Sequence, residues 1–511
     1  MTVPGLLRWR SDTQPDAPFL VFEDEAGGRG ELTYADMWRR ARATARLLHD
    51  QGVGAGDRVL VALPNGLEFF DLWFATSIVG ATLVPVNPIS TPDELAWVLT
   101  DASCRLCVGD ATTVTNLRKA RDLAAATDVP LLAAAGLAAD GAELSSRPAP
   151  HVTDDDVAAI LYTSGTTSRP KGVLVTQANY LFAGEVVAGH LRIRPDDRWL
   201  VVLPLFHANA QYYCAMSALV TGASVAVAAR FSASGWGRQA AELGATLASL
   251  FAAPIRMILA SPERPHDRNN RLRATLFAQN LTVAQAADFR RRFDTPLLQL
   301  YGMTETVAPP TCNPMYGDQR PDSIGRPMAG ARLRVVGQAG HDVPVGAPGE
   351  LLVGGQPGHT LMAGYLNRSD ATGEALRDGW LHTGDLVRTG TDGYLYFVDR
   401  AKDMIKRAGE NVAASEVERV VNEHPGVFES AAVGVPDAIR DEAIVVHVVR
   451  KPAASVTEQD LVAWCAERLA RFKVPSVICF TGELPRTSVG KIRKEVLRRL
   501  QTGENAPGGN P

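Results

Sequence analysis

The chain has 511 residues, 46% apolar and 21% charged, with 52 Lys and Arg against 56 Asp and Glu for a net charge of −4. These are the proportions of a soluble globular chain long enough for one large and one small domain, or for three. The balance gives no basis for a nucleic-acid partner, so an anionic ligand must be held by local residues.

No apolar run reaches the length of about 18 residues that a membrane span needs. The N-terminal stretch has no long apolar region of the secretory kind, and the C-terminal Glu-Asn-Ala-Pro-Gly-Gly-Asn-Pro carries no peroxisomal or prenylation address. A cytoplasmic protein with no membrane partner is expected. Whether it is a monomer or a homodimer is left open.

In chain order, Thr33 to Gln51 reads as a helix. Tyr34, Met37, Trp38, Ala41, Ala45 and Leu48 share one face, Thr33 and Asp36 are placed for a capping box, and Gly52 is a stop. Val59 to Leu63 reads as a buried strand, Leu67 to Val79 as a helix and Ala81 to Val86 as a strand, an order that implies a parallel α/β sheet. Cys104 and Cys107 form a lone C-x-x-C without a second ligand pair, and read as buried thiols of a strand region. From Leu117 to Pro150 an alanine-rich stretch reads as helix and surface loop.

The strand Val157–Tyr162 leads into Thr163-Ser-Gly-Thr-Thr-Ser-Arg-Pro-Lys171-Gly172. Glycine lets backbone N–H groups approach a polyphosphate, hydroxyls add donors and Lys171 adds charge. The spacing is not that of a Walker A loop. Further on, Tyr301-Gly-Met-Thr-Glu305-Thr306 follows the apolar run Leu297–Leu300. Closely spaced Gly and Pro from Gly317 to Gly364 mark a small β-rich unit, and Gly379-Trp-Leu-His-Thr-Gly-Asp385 sits in a turn-rich stretch.

After Asp399 the texture changes to an α+β unit of about a hundred residues. It opens with Asp399-Arg400-Ala-Lys402-Asp-Met-Ile-Lys406-Arg-Ala-Gly409-Glu-Asn-Val412. Ser415 and Glu418 are placed to cap a helix ending near His424. Ala431–Val435 and Ile444–Val449 read as strands, and Thr457–Phe472 as a helix capped by Thr457 and Asp460. Pro485-Arg-Thr-Ser-Val-Gly490-Lys491 comes near the end, and residues after Gln501 read as a disordered tail. The expected division is 1–399, 400–501 and 502–511. Alone, each motif is a turn, a cap or a solvated basic face; five in this order and spacing are hard to produce by accident.

Together these segments resemble the acyl-adenylate-forming superfamily over roughly Pro15 to Leu500, and within it the crotonobetaine/carnitine–CoA ligases and similar small-acid CoA ligases. The resemblance implies an α/β protein: a large N-terminal domain of two doubly wound subdomains plus a distorted β-barrel, and a small mobile α+β C-terminal domain. It implies an acid–thiol ligase using ATP, Mg²⁺ and CoA, in which a small or aromatic carboxylic acid becomes acyl-AMP and then acyl-CoA. The same chemistry with a carrier-protein thiol, an amine, or nitrite in a diazotase-like reaction is the alternative. An ATP-binding module without catalysis is a third reading, opposed by the intact Lys491, Glu305 and Lys171.

The resemblance also implies roles. Thr163, Ser164, Gly165, Thr166, Thr167 and Lys171 would hold the β- and γ-phosphates, Thr304 the α-phosphate and Glu305 the Mg²⁺ ion. Tyr301, Gly302 and Met303 would line the nucleotide site. Asp385 would accept bonds from the ribose hydroxyls, reinforced by Arg400. Lys491 would bridge the α-phosphate and the attacking carboxylate. Lys402 matches the hinge, and Lys406 and Gly409 would face the CoA path. His207 matches a position on the acyl pocket wall, where it would gate the channel or touch the carboxylate, with Phe206, Asn209, Gln211 and Tyr212 beside it. Ala278, Gln279 and Asn280 stand where most relatives carry a Gly-Gly-Ala-Pro-type turn beside adenine, a departure that reshapes the wall shared by adenine and acyl group.

Overall fold

The computed structural model describes residues 1–135, 137, 151–163, 169–407, 410–437, 441–487 and 492–502. Two large sheets form its body. The nine-stranded sheet runs from the short edge strands Arg326–Pro327 and Thr311–Cys312 through Leu297–Tyr301, Ala274–Ala278, Leu247–Phe251, Arg198–Val201, Ser224–Ala228 and Pro18–Glu23 to Arg29–Thr33. The strands from Leu297–Tyr301 to Pro18–Glu23 are parallel, and only the edges are antiparallel. The seven-stranded sheet runs Gly364–Tyr365, Lys171–Thr176, Val157–Thr163, Thr82–Pro85, Arg58–Ala62, Leu106–Gly109, Leu131–Ala133.

The helices follow from the pattern of the sequence. Helix Tyr34–Asp50 opens on a complete Thr33/Asp36 capping box and buries Tyr34, Met37, Ala41, Ala45 and Leu48, as its period requires. Helix Leu67–Ile78 is buried on nearly every side, its Asp71 paired with Arg40 at 2.6 Å, and it buries Phe69, Phe70, Trp73 and Phe74, with Trp73 and Phe74 stacked at 5.3 Å between ring centroids. One continuous core joins these rings to Val59 and Leu161 of one sheet and Val201 and Leu298 of the other. Each fully buried large side chain contributes about 2–3 kcal/mol by removal from water.

A third sheet, antiparallel, is built from Arg332–Val336, Pro348–Gly354, Trp380–Thr389, Leu376–Arg377 and Leu395–Arg400, so it extends beyond the expected β-rich unit of Gly317 to Gly364, which holds only its first two strands. The C-terminal module carries its own five-stranded sheet, in which Val427–Asp437 and Asp441–Arg450 form a long antiparallel pair. Its core is separate and includes Val417, Val421, Val446 and Leu461.

Several local expectations need correction. Ser415 does not cap its helix: the helix Ala414–Asn422 has no side-chain cap. Instead Ser415 donates through its N–H to Asp399 at 3.1 Å and through its hydroxyl to the Val398 carbonyl. Glu418 is drawn away to the Ala432 N–H and to Lys494, at 2.8 and 2.7 Å. The helix opened by Thr457 and Asp460 has its capping box but ends at Ala466, where the N–H groups of Arg468 and Leu469 both turn back to Cys465. The alanine-rich stretch also holds the short strand Leu131–Ala133. Thr502, expected in the tail, is the last residue of helix Lys494–Thr502. Cys104 and Cys107 are buried free thiols, Cys107 on strand Leu106–Gly109, and burial pushes its thiol up to about 12.

Candidate active site

The site grows from the carboxyl end of strand Leu297–Tyr301. The chain leaves that strand through Gly302, where a Cβ would stand 2.7 Å from the Tyr213 hydroxyl, so no side chain fits. Met303 leads into a 3₁₀ turn, Thr304–Thr306, tightened by the Met303 N–H donating to the Thr306 hydroxyl at 3.1 Å. Glu305 is thereby fixed at 5% exposure.

Glu305 has a partner that the sequence did not announce. The Tyr365 hydroxyl donates to Glu305 Oε1 at 2.9 Å, and Lys171 Nζ lies 5.0 Å from the centroid of the Tyr365 ring. Burial pushes the Tyr365 phenol well above its ordinary range, and the charge of Glu305 adds to that, so it remains a donor. Tyr365 is brought here because Gly364–Tyr365 adds an edge strand beside Lys171–Thr176, with Tyr365 opposite Val173. A Gly-Tyr dipeptide in a turn-rich stretch gives no periodic signal for this.

Thr163 and Lys171 face each other in register, closing a hairpin between Val157–Thr163 and Lys171–Thr176. The motif thus connects two antiparallel strands. Its far end is anchored by Trp97, which donates to the Pro170 carbonyl at 3.3 Å and has the Arg169 guanidinium 4.5 Å above its ring. Ser164, Gly165, Thr166 and Thr167 lie outside the described residues, as do Gly409 and Lys491.

The second cluster centres on Asp385, 4% exposed. Its Oδ2 accepts from the Tyr301 hydroxyl at 2.6 Å, and its Oδ1 lies 3.2 Å from Arg400 Nε. Asp385 and Arg400 are direct partners across neighbouring antiparallel strands. Burial and the adjacent Asp385 keep the Tyr301 phenol protonated, far above its usual range. The carboxylate retains lone pairs for two further donors.

Ala278 ends strand Ala274–Ala278, and the chain then turns through Gln279 at φ +76°, a conformation glycine takes freely and glutamine does not. Gln299 Nε2 holds the turn by donating to the Gln279 carbonyl at 3.0 Å, and Arg256 Nη1 donates to the Asn280 carbonyl at 3.2 Å. Neither Gln299 nor Arg256 stands out in the sequence, since both lie within apolar runs.

His207 follows Leu203 in a loop and packs against Phe206 at 4.3 Å between ring centroids. Of the polar residues beside it, Gln211 is not available to a ligand: its Nε2 donates to the Leu205 carbonyl at 2.6 Å and its Oε1 takes the Tyr180 hydroxyl. Asn209 Oδ1 and the Tyr212 hydroxyl are buried with no hydrogen-bond partner among the described residues.

Lys402 lies in the 3₁₀ turn Ala401–Asp403 that follows Arg400, and Lys406 stands exposed on the C-terminal sheet, in strand Ile405–Arg407. The residues flanking Lys491 are firmly held. Arg486 and Ile492 form a β-bridge, Arg486 pairs with Glu429, and Lys494 and Arg498 pair with Glu418 and Asp403 at 2.7 and 2.6 Å. The basic helix is therefore pinned to its module and is not a solvated face.

The donor set bears on a metal. Among the described residues no three His, Cys, Asp or Glu side chains gather as a ready-made cage. One buried carboxylate beside a lysine-bearing loop suits a cation that keeps most of its ligands as phosphate oxygens and waters, as Mg²⁺ does.

The sequence pattern of AMP-binding enzymes matches residues 7–366, and that of the AMP-binding enzyme C-terminal domain matches residues 416–491. Over 496 residues the chain is 36% identical to a crotonobetaine/carnitine–CoA ligase of Salmonella typhimurium, covering 94% of this chain and 96% of the relative. ATP-bound MatB from Rhodopseudomonas palustris superposes with a TM-score of 0.87 at 28% identity, covering 98% of this chain and 99% of that one. The apo form of the same protein superposes at 0.76. A benzoate CoA ligase from Burkholderia xenovorans superposes at 0.88 with 25% identity, covering 98% and 100%. Among the described residues no helix is long and apolar enough to cross a membrane.

Proposed function

The chain belongs to the AMP-binding enzyme family, and from that premise we propose that it is an AMP-forming acyl-CoA synthetase acting on a small or aromatic carboxylic acid. The observation that carries this reading is the pair of clusters at one strand end: Lys171–Tyr365–Glu305 on one side and Tyr301–Asp385–Arg400 on the other. The first suits a polyphosphate and its cation, the second a diol.

In the first half-reaction a carboxylate oxygen of the acid attacks the α-phosphorus of ATP, and pyrophosphate leaves. Anion meets anion, so the barrier falls with neutralisation. Lys171 and the hydroxyl-rich segment Thr163–Thr167 hold the β- and γ-phosphates, and Thr304 bonds the α-phosphate. Glu305 would hold Mg²⁺, which when bound supplies charge neutralisation on the phosphates. Asp385 takes the ribose hydroxyls while Tyr301 and Arg400 hold its carboxylate in place. Lys491 bridges the α-phosphate and the attacking carboxylate, where one ammonium in a dry site is worth several kcal/mol.

In the second half-reaction the CoA thiolate attacks the acyl carbon, and AMP leaves. The C-terminal module, taken as residues 400–501, turns about Lys402 between the two steps, exchanging Lys491 for the segment of Lys406 and Gly409. Asn209 Oδ1 and the Tyr212 hydroxyl supply polar points in the acyl region, which favours an acid with a polar or aromatic body over a long alkyl chain, because a desolvated polar group left unpaired costs about 1–3 kcal/mol.

The test is exchange of labelled pyrophosphate into ATP across a panel of acids, with CoA consumption as a second readout. Exchange dependent on one acid class, with matching CoA consumption, is expected. Exchange without CoA consumption would move the acceptor to a carrier-protein thiol or an amine. ATP binding without exchange would leave only a nucleotide-binding module.

A further inference from the structure

Helix Pro92–Asp101 ends on a carboxylate, against the preference of a helix C-terminus for cations. The Asp101 side chain is nevertheless enclosed, 6% exposed, and groups from two distant segments converge on the residue. Its Oδ2 accepts from the Tyr162 hydroxyl at 2.8 Å, its Oδ1 from Arg368 Nη2 at 3.1 Å, and its backbone carbonyl from Asn367 Nδ2 at 2.9 Å. One turn earlier on the same helix face, Trp97 donates to the Pro170 carbonyl at 3.3 Å. The centroid of its ring lies 4.5 Å from the Arg169 guanidinium and 5.7 Å from that of Arg368.

Each of these contacts sits beside a residue of the site. Tyr162 immediately precedes Thr163 and stands opposite Gly172 in the hairpin register. Glycine is required there, because a Cβ at position 172 would come within 2.6 Å of the Ile160 side chain and 3.2 Å of the Tyr162 ring. Arg169 and Pro170 lead directly into Lys171. Asn367 and Arg368 follow Tyr365 after Leu366, whose N–H donates to the Gly172 carbonyl at 2.8 Å. The strand Gly364–Tyr365 pairs with Lys171–Thr176 over only two residues, too short a ladder to fix the position of Tyr365 by itself. Asp101 and Trp97 supply the missing constraint. From one helix face they hold both the hairpin that carries Lys171 and the segment that carries Tyr365, the partner of Glu305.

We propose that Asp101, together with Trp97, is a positioning residue for the polyphosphate of the nucleotide: from outside the site it fixes the placement of Lys171 relative to the Tyr365–Glu305 pair. The inference rests on the reading of Lys171 and Glu305 as the groups that hold the β- and γ-phosphates and their cation. Its consequence is selective. AMP has neither of those phosphates, and its diol belongs to Asp385 in the other cluster, so loosening this clamp weakens the grip on ATP and leaves that on AMP intact. The same split separates the half-reactions, because thioesterification starts from acyl-AMP, from which pyrophosphate has already departed.

The experiment measures the Kd of MgATP and of AMP by titration calorimetry on the full chain and on Asp101→Asn, Trp97→Leu and Trp97→Phe, with thioesterification of supplied acyl-AMP as a further readout. Asp101→Asn should weaken MgATP about tenfold, the scale of a lost hydrogen bond to a charged group, with the Kd of AMP and thioesterification unchanged. Trp97→Leu should act in the same direction. Trp97→Phe should do less, since it keeps a ring face for the two guanidiniums and gives up only the bond to Pro170. An unchanged Kd for MgATP in Asp101→Asn and Trp97→Leu overturns the proposal. Equal weakening of MgATP and AMP, the mark of a merely structural role, also overturns it. If Asp101→Asn does not fold, Tyr162→Phe, which removes a single hydroxyl from the same carboxylate, decides on the same ratio of the two Kd values. A parent chain that binds neither nucleotide defeats the functional reading itself, a result distinct from all of these.

Discussion

The Tyr365 hydroxyl donates to Glu305 at 2.9 Å while Lys171 stands 5.0 Å over the same ring, so one phenol links the candidate metal carboxylate to the candidate phosphate-binding lysine. Removing the hydroxyl leaves a buried carboxylate short of a donor but keeps the ring face for Lys171. Tyr365→Phe should raise the KM for MgATP and lower kcat for adenylation, together by about tenfold, a hydrogen bond to a charged acceptor being worth about 1.5–3 kcal/mol. Tyr365→Leu should cost more, since the cation–π contact goes too. Steady-state exchange kinetics over a Mg²⁺ titration check this; a Phe variant with the parent's Mg²⁺ dependence would remove Tyr365 from the site.

The proposed function assigns Lys491 and Gly409 to opposite half-reactions. Lys491→Ala should reduce adenylation by at least about a hundredfold and leave thioesterification of supplied acyl-AMP near the parent rate, because the ammonium is needed only where charge develops at the α-phosphate. Gly409→Leu should show the reverse pattern, a side chain blocking the approach of the thiol. Equal losses in both half-reactions for either variant would sink the assignment.

Glu23 makes a pH prediction far from the site. Arg238, reinforced by Gln239 and Arg29, holds its carboxyl at about 2 against an ordinary 4.5. A depressed carboxylate contributes stability that is present above its unfolded value and disappears as pH falls through the folded one. Its arginine partners are partly exposed, so screening leaves about 2 kcal/mol of the shift. Parent and Glu23→Gln should therefore differ by that amount in urea unfolding at pH 7, and converge between pH 4.5 and 2. A gap that persisted at the acid end would mean that the carboxylate's charge is not its source.

The acid itself is open to direct measurement. By kcat/KM, short polar or aromatic acids should exceed long-chain fatty acids by at least about tenfold, the cost of leaving one of Asn209 and Tyr212 unpaired against an alkyl chain. Tyr212→Phe should narrow that preference. A clear preference of the parent for long chains refutes the polar-pocket reading.

Much of this was legible in the sequence because the residues concerned sit in runs with their own grammar. Asp385 and Arg400 come from two separate motifs, and the structure sets them in register. The capping boxes at Thr33 and Thr457 were readable because both partners are local. What could not be read depends on distant chain. Ser415 fits a cap by spacing, yet Asp399 and Val398 claim it first. Gln211 looks like a free amide and is consumed by Tyr180 and Leu205. Tyr365, Trp97 and Arg256 act through long-range contacts that leave no period and no spacing behind.

The pairing of Asp385 with Arg400 has one more consequence. Arg400 is the last residue of the antiparallel sheet, and the turn Ala401–Asp403 begins with the next residue. Although the module is taken to begin at Arg400, this residue pairs with Asp385 inside the sheet and ahead of the proposed swivel at Lys402, so the contact proposed to grip the ribose is complete before the chain turns. An acyl-AMP is an activated mixed anhydride that water can hydrolyse, and every escape into solvent wastes an ATP. A diol anchor that does not travel with the moving part would keep the intermediate moored while the machinery around it is exchanged, leaving no stage at which its most perishable species is unheld.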